Sequence, residues 1–412
     1  MRTPQRARVA AHAVALVVAL TCLTPVPDAV AQSSAGVVPG VEVLLSDSMH
    51  LVRGKRVGLL TNHSGRDRSG TSTIDLLFRA PGVKLVALYG PEHGIRGLAK
   101  AGEKIGSSLD SATGINVTPL YSNPNAFSAE TFRNIDVLVY DIQDVGARVY
   151  TYEWTLALAA AAARKPIVIL DRPDPIRADR IEGNILDPRF ASLVGQYPVA
   201  LRYGLTPGEL MRFLVGTKLI DADVHVVPMK NYRRSMWFDA TKIPRVHPSP
   251  NLRTWQSEVL YPGTVLFEGT TATEGRGTDD PFTLIGASWM TDNAQIAAEL
   301  NARKLPGVRF DTATRTIESG YKFGGQTIPM IAIHVTDRDA VRPVELGVRM
   351  LRALYVRHPA DFKWRLPQID RLAGTDRLRA AVEQNTMDAL IASWNADAAK
   401  FAVQVKPYLL YR

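Results

Sequence analysis

The residues best equipped for chemistry sit where apolar runs end. Arg56 to Thr61 gives way to Asn62-His63, and Lys84 to Tyr89 to Gly90-Pro91-Glu92-His93-Gly94. Asp136 to Tyr140 runs into Asp141-Ile142-Gln143-Asp144-Val145-Gly146, and Pro166 to Leu170 into Asp171-Arg172-Pro173-Asp174. Carboxylates and imidazoles gathered at four such ends describe acid–base chemistry in one shared cleft. Glu92 leads: Pro91 fixes the backbone before it, Gly90 and Gly94 allow a sharp bend, and a carboxyl on that turn beside His93 suits a general acid. The plainer role for Glu92 is to cap the next loop by accepting backbone N–H bonds. Asp141 and Asp144 offer a second catalytic carboxylate and an orienting one, although an Asx-turn would use Asp144 equally well. Arg148 and Tyr150 follow closely. The guanidinium fork of Arg148 could clamp a substrate carboxylate or pair with one of these aspartates. Further on, Glu268-Gly269-Thr270 and Glu274-Gly275-Arg276-Gly277-Thr278-Asp279 form a polar, Gly-rich loop able to close over the cleft with Glu274 and Arg276.

These groups need a scaffold, and the runs between them supply it. Continuous β-branched segments separated by helical patterns predict parallel strands covered on both faces. Helices are expected over Ser72 to Phe78 and over the Ala-rich stretch Tyr152 to Lys165. Another opens at Thr206-Pro207-Gly208-Glu209, which combines a hydroxyl cap, a first-turn Pro and a Glu three residues on. Asp223 to Val227 adds a strand. The fold class is therefore α/β, with a Rossmann-like, doubly wound domain over about residues 40–235. Pro244, Pro248, Pro250 and Pro262 punctuate Lys242 to Gly263, so residues 236–254 read as a linker or crossover. A smaller α+β domain is expected over 255–412. Its helices are at Asn293 to Arg303, Pro343 to Tyr355, Asp376 to Gln384 and Thr386 to Ala399, with a strand at Ile328 to Val335.

Composition removes whole classes of function. The 412 residues carry 49 Lys and Arg against 40 Asp and Glu, a net charge of +9 that is scattered rather than run together, so no nucleic-acid partner is expected. Arg2, Arg6 and Arg8, an apolar core from Val9 to Leu20 and the small-x-small triplet Ala29-Val30-Ala31 make residues 1–31 a secretory signal peptide, which implies export to the periplasm or the medium. No later run is long and apolar enough to span a bilayer, so no stable membrane insertion is expected. Cys22 is the one cysteine and lies in that leader, leaving the mature chain without disulfides or thiolate chemistry. A G-x-G-x-x-G fingerprint, a P-loop, a G-x-S-x-G elbow and an H-E-x-x-H pair are all missing, and no cofactor is expected. His63, His93, His225 and His247 lack metal-ligand spacing, so no metal site is assigned.

Read in order, Gly58-Leu59-Leu60-Thr61-Asn62, Tyr89 to Gly94, Asp141 to Gly146 with Arg148 and Tyr150-Thr151-Tyr152, Leu170 to Pro173, Pro248-Ser249-Pro250-Asn251 and the two motifs at 268–277 resemble one bacterial family. It is the NamZ-like exo-β-N-acetylmuramidases, formerly catalogued as the domain of unknown function DUF1343. The resemblance runs from about residue 40 to the end of the chain. It implies release of terminal β-linked N-acetylmuramic acid from the non-reducing end of peptidoglycan fragments (muropeptides and MurNAc-GlcNAc disaccharides), in a cleft between a Rossmann-like domain and a smaller one. The family's catalytic Glu falls on Glu92. Asn62, His93, Tyr150 and Asn251 fall in its motifs and His63 directly follows one, which makes all five candidates for substrate binding, and Arg96, Arg148 and Arg276 are the candidates for the lactyl carboxylate. One departure is Asp174, where relatives often carry Asn. The sugar's own acetamido group could serve as the second catalytic group, oriented by Asp141 or Asp144. The competing reading is a non-catalytic periplasmic muropeptide- or sugar-binding protein.

Overall fold

The computed structural model describes residues 36–96, 106–121 and 124–412 along with Met1; the expected signal peptide and Cys22 lie outside the described residues. From residue 36 onward the chain packs as one compact unit. Its strands are β1 (Arg56–Thr61), β2 (Lys84–Gly90), β3 (Ser108–Leu109), β4 (Asn116–Pro119), β5 (Val137–Asp141), β6 (Ile167–Leu170), β7 (Glu182–Ile185), β8 (Ala200–Arg202), β9 (Val224–Val227), β10 (Leu284–Gly286), β11 (Val308–Thr316) and β12 (Thr327–Val335). Its helices are α1 (Gly40–Asp47), α2 (Thr73–Arg79), α3 (Tyr152–Ala163), α4 (Pro207–Gly216), α5 (Trp255–Thr264), α6 (Asn293–Ala302), α7 (Pro343–Arg357), α8 (Gln368–Ala373), α9 (Arg377–Gln384) and α10 (Met387–Val405).

Seven strands form the main sheet in the order β3-β4-β2-β1-β5-β6-β9. All neighbours are parallel except the short edge strand β3. This is the doubly wound α/β architecture expected. The chain leaves β1 toward β2 and β4, then returns to β5 on the other flank of β1, so the order reverses there. Parity along the strands decides which layer each side chain joins. Val57, Leu59, Val137, Val139, Val168 and Leu170 pack against Val41 and Leu44 of α1 and Ile74 and Leu77 of α2. Leu60, Leu138, Tyr140, Ile167 and Ile169 join the opposite core, with Trp154 and Leu156 of α3.

Local chemistry sets the helix boundaries. Ser72 accepts a bond from the Ile74 N–H to start α2. Thr206 and Glu209 satisfy each other's backbone N–H groups in a capping box at α4, behind Pro207. The expected irregular stretch from Lys242 to Gly263 is half helix: Thr254 and Ser257 form a capping box for α5, and Pro262 sits inside its last turn. A Pro so close to the helix end forfeits one bond without breaking the preceding turns. Beyond it, β10, β12 and β11 form an antiparallel sheet in that order, with α6 packed on β11 and β12, while α7 meets α5 and α9, and α10 packs against β7 and β8, the α+β arrangement expected.

The two halves interlock. The core under the main sheet continues from Tyr140 and Trp154 to Phe267, Trp394 and Phe401. Helices α5 and α7 meet glycine to glycine, so closely that a Cβ on Gly347 would lie 2.4 Å from the Gly263 carbonyl oxygen. The last residues return to the first half. The Leu410 N–H donates to Glu209 at 2.9 Å, the Tyr411 hydroxyl donates to Asp171 at 2.6 Å, and the Arg234 N–H donates to the Arg412 carbonyl at 3.0 Å. Among the described residues no helix is long and apolar enough to cross a membrane.

Candidate active site

A cavity of about 260 Å³ opens where β2, β4 and β5 end, and residues of both halves wall it. Glu92 and His93 follow β2, Tyr121 follows β4, and Tyr150 and Thr151 lie in the loop after β5. Glu268 and Arg276 come from the second half. Val149, Val194, Leu252, Val265, Phe282 and Leu372 supply apolar wall. A small concave site with a few convergent polar groups set in apolar wall is the usual form of a small-molecule pocket.

The turn that presents Glu92 is tight. The Gly94 N–H donates to the Pro91 carbonyl at 3.0 Å, and His93 takes the left-handed conformation, with φ 69°. That conformation is costly for a side chain with a Cβ and is a form of strain found at functional sites. The Thr151 hydroxyl donates to Glu92 Oε2 at 2.8 Å, and the Tyr121 hydroxyl also hydrogen-bonds to this carboxylate. Burial, reinforced by nearby carboxylates, holds the Tyr121 and Tyr261 phenols above their ordinary range, so both remain neutral donors in the cavity.

The second carboxylate on the wall is Glu268, not Asp141 or Asp144. It pairs with Arg276 at 2.7 Å, while Glu274 stands behind at 3.6 Å from the same guanidinium. Burial pushes the Glu268 carboxyl up against the opposing pull of Arg276. Burial opposes the Arg276 charge too, but Glu268 and Glu274 together hold it protonated. The guanidinium also lies over the Phe282 ring, 5.2 Å from its centroid. Lys322 fixes this wall from below: its ammonium donates to the carbonyls of Phe267, Thr270 and Ala272 at 3.0, 3.1 and 2.8 Å. Tyr121 and Lys322 had no distinguishing signal in the sequence, and Thr151 had only its place in the Tyr150-Thr151-Tyr152 motif. Glu268 had one, a place in the Gly-rich loop.

The other expected residues lie elsewhere. Asp141 shares the parity of Val137 and Val139 and so points toward α2, where Arg172 and the Thr73 hydroxyl bind both its oxygens. It is tied into the fold by these bonds and does not line the cavity. Asp144 is the Asx-turn: its Oδ2 accepts from the Gly146 N–H at 2.7 Å and from the Tyr203 hydroxyl, and burial pushes its carboxyl up to about 6. Arg148 clamps no carboxylate. It is fully buried and donates to the carbonyls of Asn184, Val199 and Ala373 at 2.8, 3.0 and 2.8 Å, and burial lowers it to about 9. Because Ala373 ends α8, this cation meets the negative end of that helix. Arg96 is exposed and paired with Asp110. Asn62 accepts from the Ser64 N–H and hydroxyl at 2.9 and 2.6 Å. Asn251 is buried between Ser249 and Leu252, which do line the cavity.

His63 and Tyr150 share a structural task. His63 Nε2 donates to the His247 carbonyl at 2.7 Å. The Tyr150 and Tyr152 hydroxyls both donate to the next carbonyl, Pro248, at 2.8 and 3.2 Å. Burial lowers the His63 pKa, so the ring stays neutral and keeps this donor tautomer. Three side chains thus pin the 247–249 segment as one wall of the cavity. Among the described residues no group of three His, Cys, Asp or Glu side chains is placed to hold a metal ion.

Comparison with known proteins gives this geometry a lineage. Residues 57–256 match the family model of the exo-β-N-acetylmuramidase NamZ N-terminal region, and residues 259–411 match that of its C-terminal region. The chain is 41% identical, over 90% of its own length and 91% of the relative's, to the peptidoglycan β-N-acetylmuramidase NamZ of Bacillus subtilis strain 168. Crystal structures of two DUF1343 family proteins from Bacteroides fragilis NCTC 9343 are similar to it throughout. The first has a TM-score of 0.84 and 32% identity, covering 91% of this chain and 99% of the other. The second has a TM-score of 0.72 and 29% identity, covering 92% and 99%.

Proposed function

The chain belongs to the NamZ exo-β-N-acetylmuramidase family, a family of glycosidases acting on peptidoglycan, and from that premise we propose that it releases terminal N-acetylmuramic acid from peptidoglycan fragments with Glu92 as general acid. The observation that carries the assignment is the presentation of Glu92 on the cavity wall by a tight turn, with the Thr151 and Tyr121 hydroxyls on its carboxylate. Glu268, the other carboxylate of the wall, is ion-paired to Arg276. Neutral hydroxyls can turn toward the substrate and leave the carboxyl facing the glycosidic oxygen, where a proton must be delivered as the bond to the sugar opens. Arg276 is the cavity's guanidinium, and we assign it the lactyl carboxylate, which would share its donors with Glu268. The leader sequence supports a site of action outside the cytoplasm, in the periplasm or the medium.

The test uses purified protein and two disaccharides, one with N-acetylmuramic acid at the non-reducing end and one with the order reversed. Free N-acetylmuramic acid is expected from the first alone. Glu92→Gln should lower that release by roughly 10²–10⁴-fold, the usual contribution of a positioned acid, while keeping the wild-type melting temperature. Full activity in a folded Glu92→Gln protein would remove Glu92 from the mechanism.

A further inference from the structure

A second cavity, of about 380 Å³, takes His247 of the pinned 247–249 segment into its wall, as the first takes Ser249, and shares no lining residue with the first. Ser64 and Arg66 reach it from the loop after β1, Gln143 from the loop after β5 and Arg172 from the loop after β6. It therefore occupies the crevice where the strand order reverses, the place at which open α/β sheets bind ligands.

Its charge is arranged for an anion. Arg66, Arg172 and Arg245 line it against one carboxylate, Asp67, and Asp67 Oδ1 already accepts from the Ser69 and Thr71 N–H groups at 3.0 and 2.7 Å. Arg172 is paired with Asp141, and Arg245 with Glu258 at 2.7 Å. Arg66 is held differently. Its Nε donates to the His63 carbonyl and its Nη1 to the Gly70 carbonyl, both at 2.8 Å, and it has no ion pair with any described carboxylate. Carbonyl bonds orient a guanidinium without neutralising it, which leaves a fixed cation on the wall.

A second, independent observation refines the ligand. Gln143 is more than nine-tenths buried. Its amide N–H groups donate to the Asp144 and Pro173 carbonyls at 2.9 and 2.7 Å, while its Oε1 is buried with no donor. A buried acceptor left this way costs stability until a donor reaches it. Phe238, Ile243, Pro244 and Val246 give the wall an apolar stretch, and Gly70 and His247 complete it. One small molecule answers all three demands: a carboxylate for Arg66, an amide N–H for Gln143 and a small apolar side chain for the apolar wall. Inorganic phosphate lacks the apolar part, and a plain sugar lacks the anion.

We propose that this second cavity binds the carboxylate end of a short acylated peptide. The peptide could be the stem carried by a muramoyl substrate, whose lactyl carboxyl is then an amide that offers Arg276 only its carbonyl oxygen, or a separate molecule, and the chemistry of recognition in this cavity is the same.

Calorimetry with N-acetyl-alanyl-alanine and with its C-terminal amide tests the proposal without relying on hydrolysis. The acid should bind at least roughly tenfold more tightly than the amide, since a charge-assisted bond to Arg66 is lost in the latter. Arg66→Gln, and independently Val246→Asp, which sets a carboxylate against the ligand's own, should weaken the acid by about the same factor. Both variants should keep wild-type melting and wild-type turnover of a stemless chromogenic muramide. A loss of kcat/KM confined to stem-bearing substrate would assign the peptide to the substrate, and equal kcat/KM on both substrates would assign it to a separate molecule. Equal binding of acid and amide, or wild-type affinity in both variants, would overturn the proposal.

Discussion

At the scale of single residues, the site depends on who holds the acid. Thr151 touches Glu92 directly at 2.8 Å, and Thr151→Val should keep the shape of the side chain while removing the donor. Loss of one positioning bond near the reacting atoms predicts about a tenfold fall in kcat with KM nearly unchanged, read from steady-state kinetics on a chromogenic muramide. Arg276→Met should do the opposite, raising KM by at least about tenfold through loss of a charge-assisted bond to the substrate carboxylate. The sequence reached Glu92 because its chemistry is local: Pro, Glu, His and Gly in succession already specify a presented carboxyl. It could not separate Glu268 from Glu274, since both lie in one polar loop and only the fold decides which of them faces inward. Asp141 lies off the cavity wall for a comparable reason. Its type and its strand-end position fit a catalytic role, but strand parity turned it to the opposite layer.

At the scale of elements, buried apolar runs and capping boxes carried most of the fold. Strands β1, β5 and β6 are buried along nearly their whole length and read plainly. Strand β11 did not, because it is an edge strand whose residues alternate with charge and are largely exposed; it exists through its pairing with β12. Helix α5 was obscured by Pro262, a breaker that the local geometry tolerates. The crossing of α5 and α7 makes a sharp prediction. Gly347→Ala places a methyl group 2.4 Å from the Gly263 carbonyl oxygen, which rigid helix backbones cannot absorb without moving apart. A loss of about 1–3 kcal/mol is expected, measured as a lower denaturant midpoint with an unchanged m-value.

At the scale of the whole molecule, buried acids under the main sheet tie stability to pH. Burial pushes Asp171 and Asp174 up to about 7, against the hydrogen bonds and cations that lower them. The folded protein therefore holds protons that the unfolded chain has already released, so these groups erode stability as pH rises from their ordinary value of 3.8 toward about 7. His63, held neutral by burial, acts in the other direction and loses stability as pH falls below its ordinary 6.5. A difference measurement separates the two. Asp174→Asn should melt higher than wild type in alkaline buffer, by roughly 1 kcal/mol or more, and the gap should narrow as the buffer is acidified toward the ordinary Asp range. The final residues have a consequence for synthesis. Glu209, Asp171 and Arg234 are bonded to one another or to neighbouring residues within the first half, and residues 410–412 add at least one further bond to each, so that polar network is incomplete until this segment has left the ribosome. A nascent chain stalled at residue 402 should remain protease-sensitive around α4, and removal of residues 409–412 from the folded protein should reproduce that sensitivity far from the cut.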